Sequence, residues 1–402
     1  MKKSTLLMRR FFPALFLCVF FVAPAVVSGD DVDWPMWRHD SAHTASTPHN
    51  LPDELYPLWM RQYSPRKPAW DDPLNRDLMH FDRIFEPIVA DGMLVFGFND
   101  SDKIVALDTD TGKEKWTFYT DGPVRLPPAA WNGKVYATSD DGFLYCLDLR
   151  KGSLVWKFRG GPSDRRVLGN GRLVSMWPAR GGVAIEDGVV YFAASIWPFM
   201  GIFIYALDAE TGGIVWVNDG EGSRFMRQPH NAPSFAGVAP QGSMTVEGDR
   251  LLISGGRSVP ACFDRRTGEF RYYELASSGK TGGSFVAASG DYFFNHYRER
   301  VTSLFYGPSG NMLAPGIGKY PVLDGDAWYF SGETVTGFDA AVFDRSFKEW
   351  LNSAGEPDAG ELRKQASSLV RENIRWEIDV NADGDLIRAG KRLYAAGGGV
   401  IT

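Results

Sequence analysis

The chain has 402 residues, with 43 Lys+Arg against 49 Asp+Glu for a formal net charge of −6, and it is 44% hydrophobic and 23% charged. Those fractions are ordinary globular values and exclude a disordered chain, and the acidic balance argues against a nucleic-acid partner gripped through its phosphates. Glycine, at 44 residues, accompanies 13 Trp, 15 Tyr and 27 Phe, and this mix of turn formers and aromatics favours an all-β fold.

At the start of the chain, Lys2, Lys3, Arg9 and Arg10 precede an apolar run from Phe11 to Val27, followed by Ser28 and Gly29. A basic head, an apolar stretch and small residues are the layout of a signal peptide, here 1–29. A membrane anchor fits less well, because the run falls short of ~20 residues and Pro13 and Pro24 interrupt it. The expectation is a periplasmic or secreted protein with no membrane span after signal cleavage, its net charge moved from −6 to −10 by the loss of four basic residues.

Four later segments align without gaps. Asp108, Gly112 and Trp116 form the first, Asp148, Gly152 and Trp156 the second, Asp208, Gly212 and Trp216 the third, and Asp264, Gly268 and Tyr272 the fourth. The aspartate bonds the backbone of the turn it opens, the glycine takes a positive φ, and the aromatic lies on the returning strand where it can dock on a neighbouring unit. Ahead of each lies another hairpin, with Asp91-Gly92, Asn132-Gly133, Asp187-Gly188 and Glu247-Gly248 as its turns. Four antiparallel strands in roughly 40 residues make a propeller blade.

Two further units are degenerate. Tyr306 and Ala314 stand where Asp and Trp are expected around Ser309-Gly310, and Asp339 opens a turn whose aromatic, Trp376, is delayed by an insertion at 340–373. In that insertion Phe343, Phe347, Trp350 and Leu351 have helical spacing, and 361–371 reads as a second helix. The expected domain organisation is a propeller over 30–402, with six complete blades at about 87–379 and a seventh, incomplete, begun at 385–402. Leu58-Trp59-Met60-Arg61 resembles a fourth strand without its blade, a way to close a ring of seven or eight blades. Cys146 and Cys262 share one repeat position in non-adjacent blades, too far apart for a disulfide, and are expected as unpaired buried thiols.

Labelling strands A to D outwards from the axis, the A–B and C–D turns emerge at one end and the B–C and D–A connections at the other. The long connections 64–86, 161–182, 196–201 and 219–242 mostly belong to the second end, where loops on a rigid scaffold carry function. Arg165, Arg166, Arg172 and Arg180 face one Asp164 in 161–182, a local +3, with Trp177 among them, and the neighbouring insertions add Trp197, Arg227, His230 and Asn231. Arginine forks and aromatic faces of this kind suit an anionic or planar ligand; the competing reading is that they fold the loops onto the propeller. The helical insertion lies at the opposite end, as a cover for a blade edge or as a docking element. His39 and His43 lack nearby ligands of metal-site spacing, and the acidic rhythm of 381–385 reads as a turn.

The A-L-D-x-x-T-G-x-x-x-W units and the Trp34-Pro35-Met36-Trp37-Arg38 opening resemble the repeats of the pyrroloquinoline quinone (PQQ)-like family, that of quinoprotein alcohol dehydrogenase-like propellers, which includes the propeller subunit of outer-membrane β-barrel assembly machinery. The resemblance covers about 33–402. It implies a propeller fold and three functions: a secreted binding or scaffold module, a PQQ- and calcium-dependent dehydrogenase, or an assembly factor binding envelope proteins. The family's dehydrogenases carry adjacent cysteines beside the quinone, and some a C-x-x-C-H haem segment; this chain has neither. The leading expectation is therefore the binding module, with catalytic residues unassigned and no cofactor or metal required.

Overall fold

Each aspartate of the repeat starts a blade's outer hairpin, and the hydrogen bonds explain why. The Asp108 carboxylate accepts from the Thr111 amide at 2.9 Å, that of Asp148 from Lys151 at 2.8 Å, that of Asp208 from Thr211 at 2.8 Å and that of Asp264 from Thr267 at 3.0 Å. The following glycines 112, 152, 212 and 268 have φ between 63° and 73°, a region closed to most side chains. The computed structural model describes the chain apart from residues 1–32, 64–85, 170, 223, 228–231, 256–257, 274–280, 298–300, 320, 381, 383 and 399. The segment 1–29, expected as a signal peptide, and nearly all of the 64–86 connection therefore lie outside the described residues.

The fold is all-β, a propeller of four-stranded antiparallel blades. Blade 1 runs Ile88–Ala90, Met93–Phe98, Lys103–Asp108 and Glu114–Tyr119; blade 2 runs Ala129–Trp131, Lys134–Thr138, Phe143–Asp148 and Leu154–Arg159. Blade 3 comprises Gly181–Glu186, Val189–Ala194, Phe203–Asp208 and Ile214–Asn218, and blade 4 Gly242–Glu247, Arg250–Ile253, Ala261–Asp264 and Phe270–Tyr272. Blade 5 comprises Thr281–Ser289, Tyr292–Tyr297, Val301–Tyr306 and Met312–Gly318, and blade 6 Val322–Asp324, Ala327–Phe330, Val335–Asp339 and Ile374–Ile378. Leu386–Ala389, Arg392–Gly397 and Val400–Ile401 follow as three strands of a seventh.

The repeat aromatics join successive blades. Trp116 of blade 1 donates through Nε1 to Leu149 O of blade 2 at 2.8 Å, and its ring lies so close to Gly152 that a Cβ there would sit 2.4 Å from it. Trp156 makes the same junction on Gly212, Trp216 on Gly268 and Tyr272 on Gly310. Glycine is thus needed twice at each site, for its backbone and for the ring above it. Trp59 continues the series: it donates to Thr109 O at 2.7 Å and covers Gly112, while Arg61 donates to Gly112 O. The extended 58–61 segment takes the outer-strand place beside blade 1.

Blade 5 breaks the series with Ala314, and the helical insertion takes over there. Asp339, at the repeat position, accepts from the Val342 amide at 2.9 Å, the same i+3 bond as in the turns, but here it caps helix α1 (Ala340–Ala354). Helix α2 (Ala359–Glu372) begins with a full capping box from Asp358 and Glu361. Phe343, Phe347, Leu362, Ala366 and Leu369 pack with Leu313 and Ala314 into one buried cluster, and Ser367 Oγ donates to Leu313 O at 3.2 Å. No large apolar side chain of this hairpin is exposed. Among the described residues the helices cover a blade edge and offer no apolar docking face.

One element was not legible as structure in the sequence. Residues 34–47 thread across the inner strands at the A–B end: Trp34 pairs with Val89, and Pro35, Ser41, Ala42, Thr44 and Ala45 carbonyls accept from Ala130, Val246, Ala288, Leu323 and Arg388. Ser41 Oγ donates to Glu186 at 2.6 Å, and Ser46–Thr47 adds a parallel strand inside Leu386–Ala389. The ribbon therefore touches all seven blades. Its tight path puts Arg38, His39, His43 and Ala45 at positive φ. His43 is fully enclosed, its Nδ1 lies 2.7 Å from Val286 O, and burial drops its pKa to about 4, so it is a neutral packing residue.

Candidate functional site

The ribbon crosses one end of the propeller, and the long insertions gather at the other. The 161–182 connection forms a hairpin of Arg166–Gly169 and Arg172–Ser175. It leans over the B–C turns of blades 1 and 2: Arg172 donates to Asn99 O at 2.8 Å and pairs with Asp102, and Ser175 N donates to Asp140 O at 2.8 Å. Blade 3 contributes the short 3-10 turn Pro198–Met200, and 219–242 forms a second hairpin, Arg224–Arg227 with Pro233–Ala236.

Beneath the first hairpin lies an ionic cluster. Asp140, 1% exposed, receives Arg125 Nε at 2.6 Å and a two-pronged contact from Arg180 at 2.8 Å on each oxygen. Burial opposes the charge of Asp140, but the two guanidiniums outweigh it and hold the carboxyl below its ordinary range. Asp141, which accepts from Tyr145 OH at 2.6 Å, is raised by burial, and burial likewise raises Asp102 despite Arg172. Arg125 and Arg180 thus converge on Asp140 and Arg172 pairs with Asp102, while Asp141 is held by Tyr145 and backbone amides.

The expected ligand residues separate into two groups. Trp177 is buried and donates through Nε1 to Met200 O at 2.8 Å, tying the first insertion to the 3-10 turn, and Arg180 is committed to Asp140. Both brace the face from within. Arg165, Arg166, Trp197 and Arg227 are exposed, with Arg166 3.6 Å from Asp121. His230 and Asn231 lie outside the described residues. The residues that sequence reasoning passed over are Arg125, Asp102, Asp140 and Asp141, which read as ordinary turn residues, and the exposed rings Phe199, Phe225 and Phe235. Only alternation within 224–236 could have flagged the last two, as cross-strand partners on one ribbon face.

Cys146 and Cys262 are unpaired and buried, and burial pushes their thiols up to about 12 and about 11. Among the described residues no three His, Cys, Asp or Glu side chains are grouped to hold a metal. Of the carboxylates at this end, Asp102 and Asp140 pair with arginines, whereas Asp141 accepts from Tyr145 OH and from the Phe143 and Asp121 amides. No helix among the described residues is long and apolar enough to cross a membrane.

A sequence profile described as outer membrane protein assembly factor BamB matches residues 37–304. The chain belongs to this PQQ-like repeat family. Curated relatives that match are quinone-dependent enzymes. The dehydrogenase subunit of alcohol dehydrogenase (quinone) from Gluconobacter oxydans (strain 621H) is 34% identical over 145 residues, 32% of this chain and 18% of the relative. Quinohemoprotein alcohol dehydrogenase ADH-IIG from Pseudomonas putida is 26% identical over 311 residues, 67% of this chain and 40% of the relative. The matches thus span between about a fifth and two fifths of those proteins. A europium-containing methanol dehydrogenase superposes with a TM-score of 0.52 at 13% identity, covering 91% of this chain and 82% of that one, and at that identity the likeness speaks for the PQQ-like propeller fold alone.

Proposed function

We propose that this PQQ-like propeller is a periplasmic or secreted binding or scaffold module, exported by a signal peptide at 1–29, whose partners dock on the end bearing 161–182, 196–201 and 219–242. The observation that carries the reading is a braced platform with apolar contact groups on it. Arg172, Trp177 and Arg180 lock the first insertion to blades 1 to 3, while Trp197, Phe199, Phe225 and Phe235 stand exposed on the others. Half of the eight exposed aromatic side chains among the described residues sit on these two short insertions, where folding alone would favour covering them.

A photo-crosslinker at Phe199, with a control at exposed Glu349 on α1, tests the reading. Adducts with envelope components are expected from the first position, and adducts only from the second would overturn it. A PQQ-dependent dehydrogenase is the second reading, supported by the similarity to the alcohol dehydrogenases. Incubation with PQQ and calcium followed by gel filtration separates the two: quinone absorbance retained on the protein favours the enzyme. The family description favours, as the form of partner, an envelope protein, as for an outer-membrane assembly factor.

A further inference from the structure

The exposed side chains of the insertion end form an arc. Leu168 and Leu173, 79% and 56% exposed, stand on the first hairpin over blades 1 and 2. Trp197 and Phe199, 51% and 75% exposed, continue it on blade 3, with ring centroids 6.0 Å apart. Phe225 and Phe235, 63% and 69% exposed, complete it on the second hairpin as directly opposed partners with ring centroids 5.2 Å apart. The three insertions are not independent: Trp177 links the first to the 3-10 turn, and the second hairpin packs beside that turn.

Basic groups are interleaved with these apolar ones. Arg165 and Arg166 precede Val167 and Leu168, and Arg227 shares the ribbon face of Phe225 and Phe235 by the two-residue strand period. The chain as a whole carries a net charge of −6, whereas 161–182 has four arginines against one aspartate. Arg172 and Arg180 are paired within the fold, which leaves Arg165, Arg166 and Arg227 as the exposed cations beside these apolar side chains. Exposed rings and leucines on three insertions, with exposed arginines beside them, match the boundary between headgroups and acyl chains.

We infer that this arc seats on an anionic lipid surface without crossing it. The inference rests on the docking-face reading above and names a lipid surface as its partner, in place of the envelope protein that the family description favours. Leu168, Phe199, Phe225 and Phe235 enter the interfacial layer, and Arg165, Arg166 and Arg227 meet lipid phosphates. Several such groups are needed together, since one weak anchor gives only reversible binding.

Sedimentation of the purified mature chain with vesicles of phosphatidylglycerol and phosphatidylethanolamine, against vesicles of phosphatidylcholine, tests this. Binding to the anionic vesicles is expected, weakened at least tenfold by the pair Phe225→Ser and Phe235→Ser, and weakened on raising the salt from ~0.05 to ~0.5 M. Phe199→Ser, at a side chain three-quarters exposed, provides a variant whose folding is not at risk and should weaken binding several-fold. Absence of wild-type binding, equal binding to phosphatidylcholine, or equal binding by the serine variants overturns the lipid assignment. Adducts to a protein from Phe199 without vesicle binding would leave the docking face standing and the lipid overturned; failure of both would remove both.

Discussion

The junction of blades 1 and 2 and the junction of blades 5 and 6 solve one packing problem with different parts. In the first, Trp116 lies flat on Gly152 and donates to Leu149 O. In the second, Ala314 offers no ring, and two helices supply Phe343, Phe347 and Leu369 to the same gap, with Ser367 Oγ donating back to Leu313 O of blade 5. The repeat aspartate is common to both, accepting an i+3 amide whether the chain then turns back or enters a helix. Local hydrogen bonding is conserved between the two junctions while the apolar filling is exchanged, because a carboxylate needs only its own next few residues and a gap needs only volume.

Substitutions can break this equivalence, starting with the largest effect. Phe347→Ala should destabilise by about 3–5 kcal/mol, since the ring is wholly buried in the helical junction. A melting curve shifted no more than by an exposed α1 substitution would show that the helices merely decorate blade 6. Trp116→Ala should cost about 3 kcal/mol by denaturant titration, its ring being 8% exposed at the rim; Trp156→Ala should cost less, as that ring is only partly buried. Gly152→Ala should cost about 2 kcal/mol, combining φ of 67° with a methyl 2.4 Å from Trp116, and in the Trp116→Ala background the steric part of that cost should vanish. Asp339→Ala should cost about 1 kcal/mol through loss of the helix cap, and Asp108→Ala should destabilise in the same direction through loss of its turn bond to the Thr111 amide. Equal losses would sharpen the claim that turn and helix cap are one device. The smallest effect is chemical: Cys146 and Cys262, with thiols raised by burial, should resist thiol reagents at pH 8 in the folded protein, and both should react after denaturation without reductant.

Asp140 adds a pH dependence on the other end of the molecule. Its carboxyl is held low by Arg180 and Arg125, so its stabilisation is complete above the ordinary carboxylate range and is lost as pH falls through the lowered folded value. Asp141 and Asp102 are raised and act in the opposite sense over the range just above the ordinary one.

The blades were readable because every blade repeats its own local chemistry: Asp, Gly and an aromatic at fixed spacing state a turn and the strand that returns from it. The helical hairpin was readable for the same reason, through the period of Phe343, Phe347 and Trp350. At the insertion end, residue types alone could not separate Arg180 and Trp177, which brace the face from inside, from Arg165, Arg227 and Trp197, which stand on it. That depends on partners far away in sequence, such as Asp140 and Met200, brought near by the ring. The ribbon of 34–47 was hidden likewise, because most of its bonds are made by its own backbone carbonyls and amides to strands far away in sequence. Short-range hydrogen bonds and periodic burial are written in the sequence; which charges meet, and which rings remain in solvent, is decided only when separate blades close around one axis.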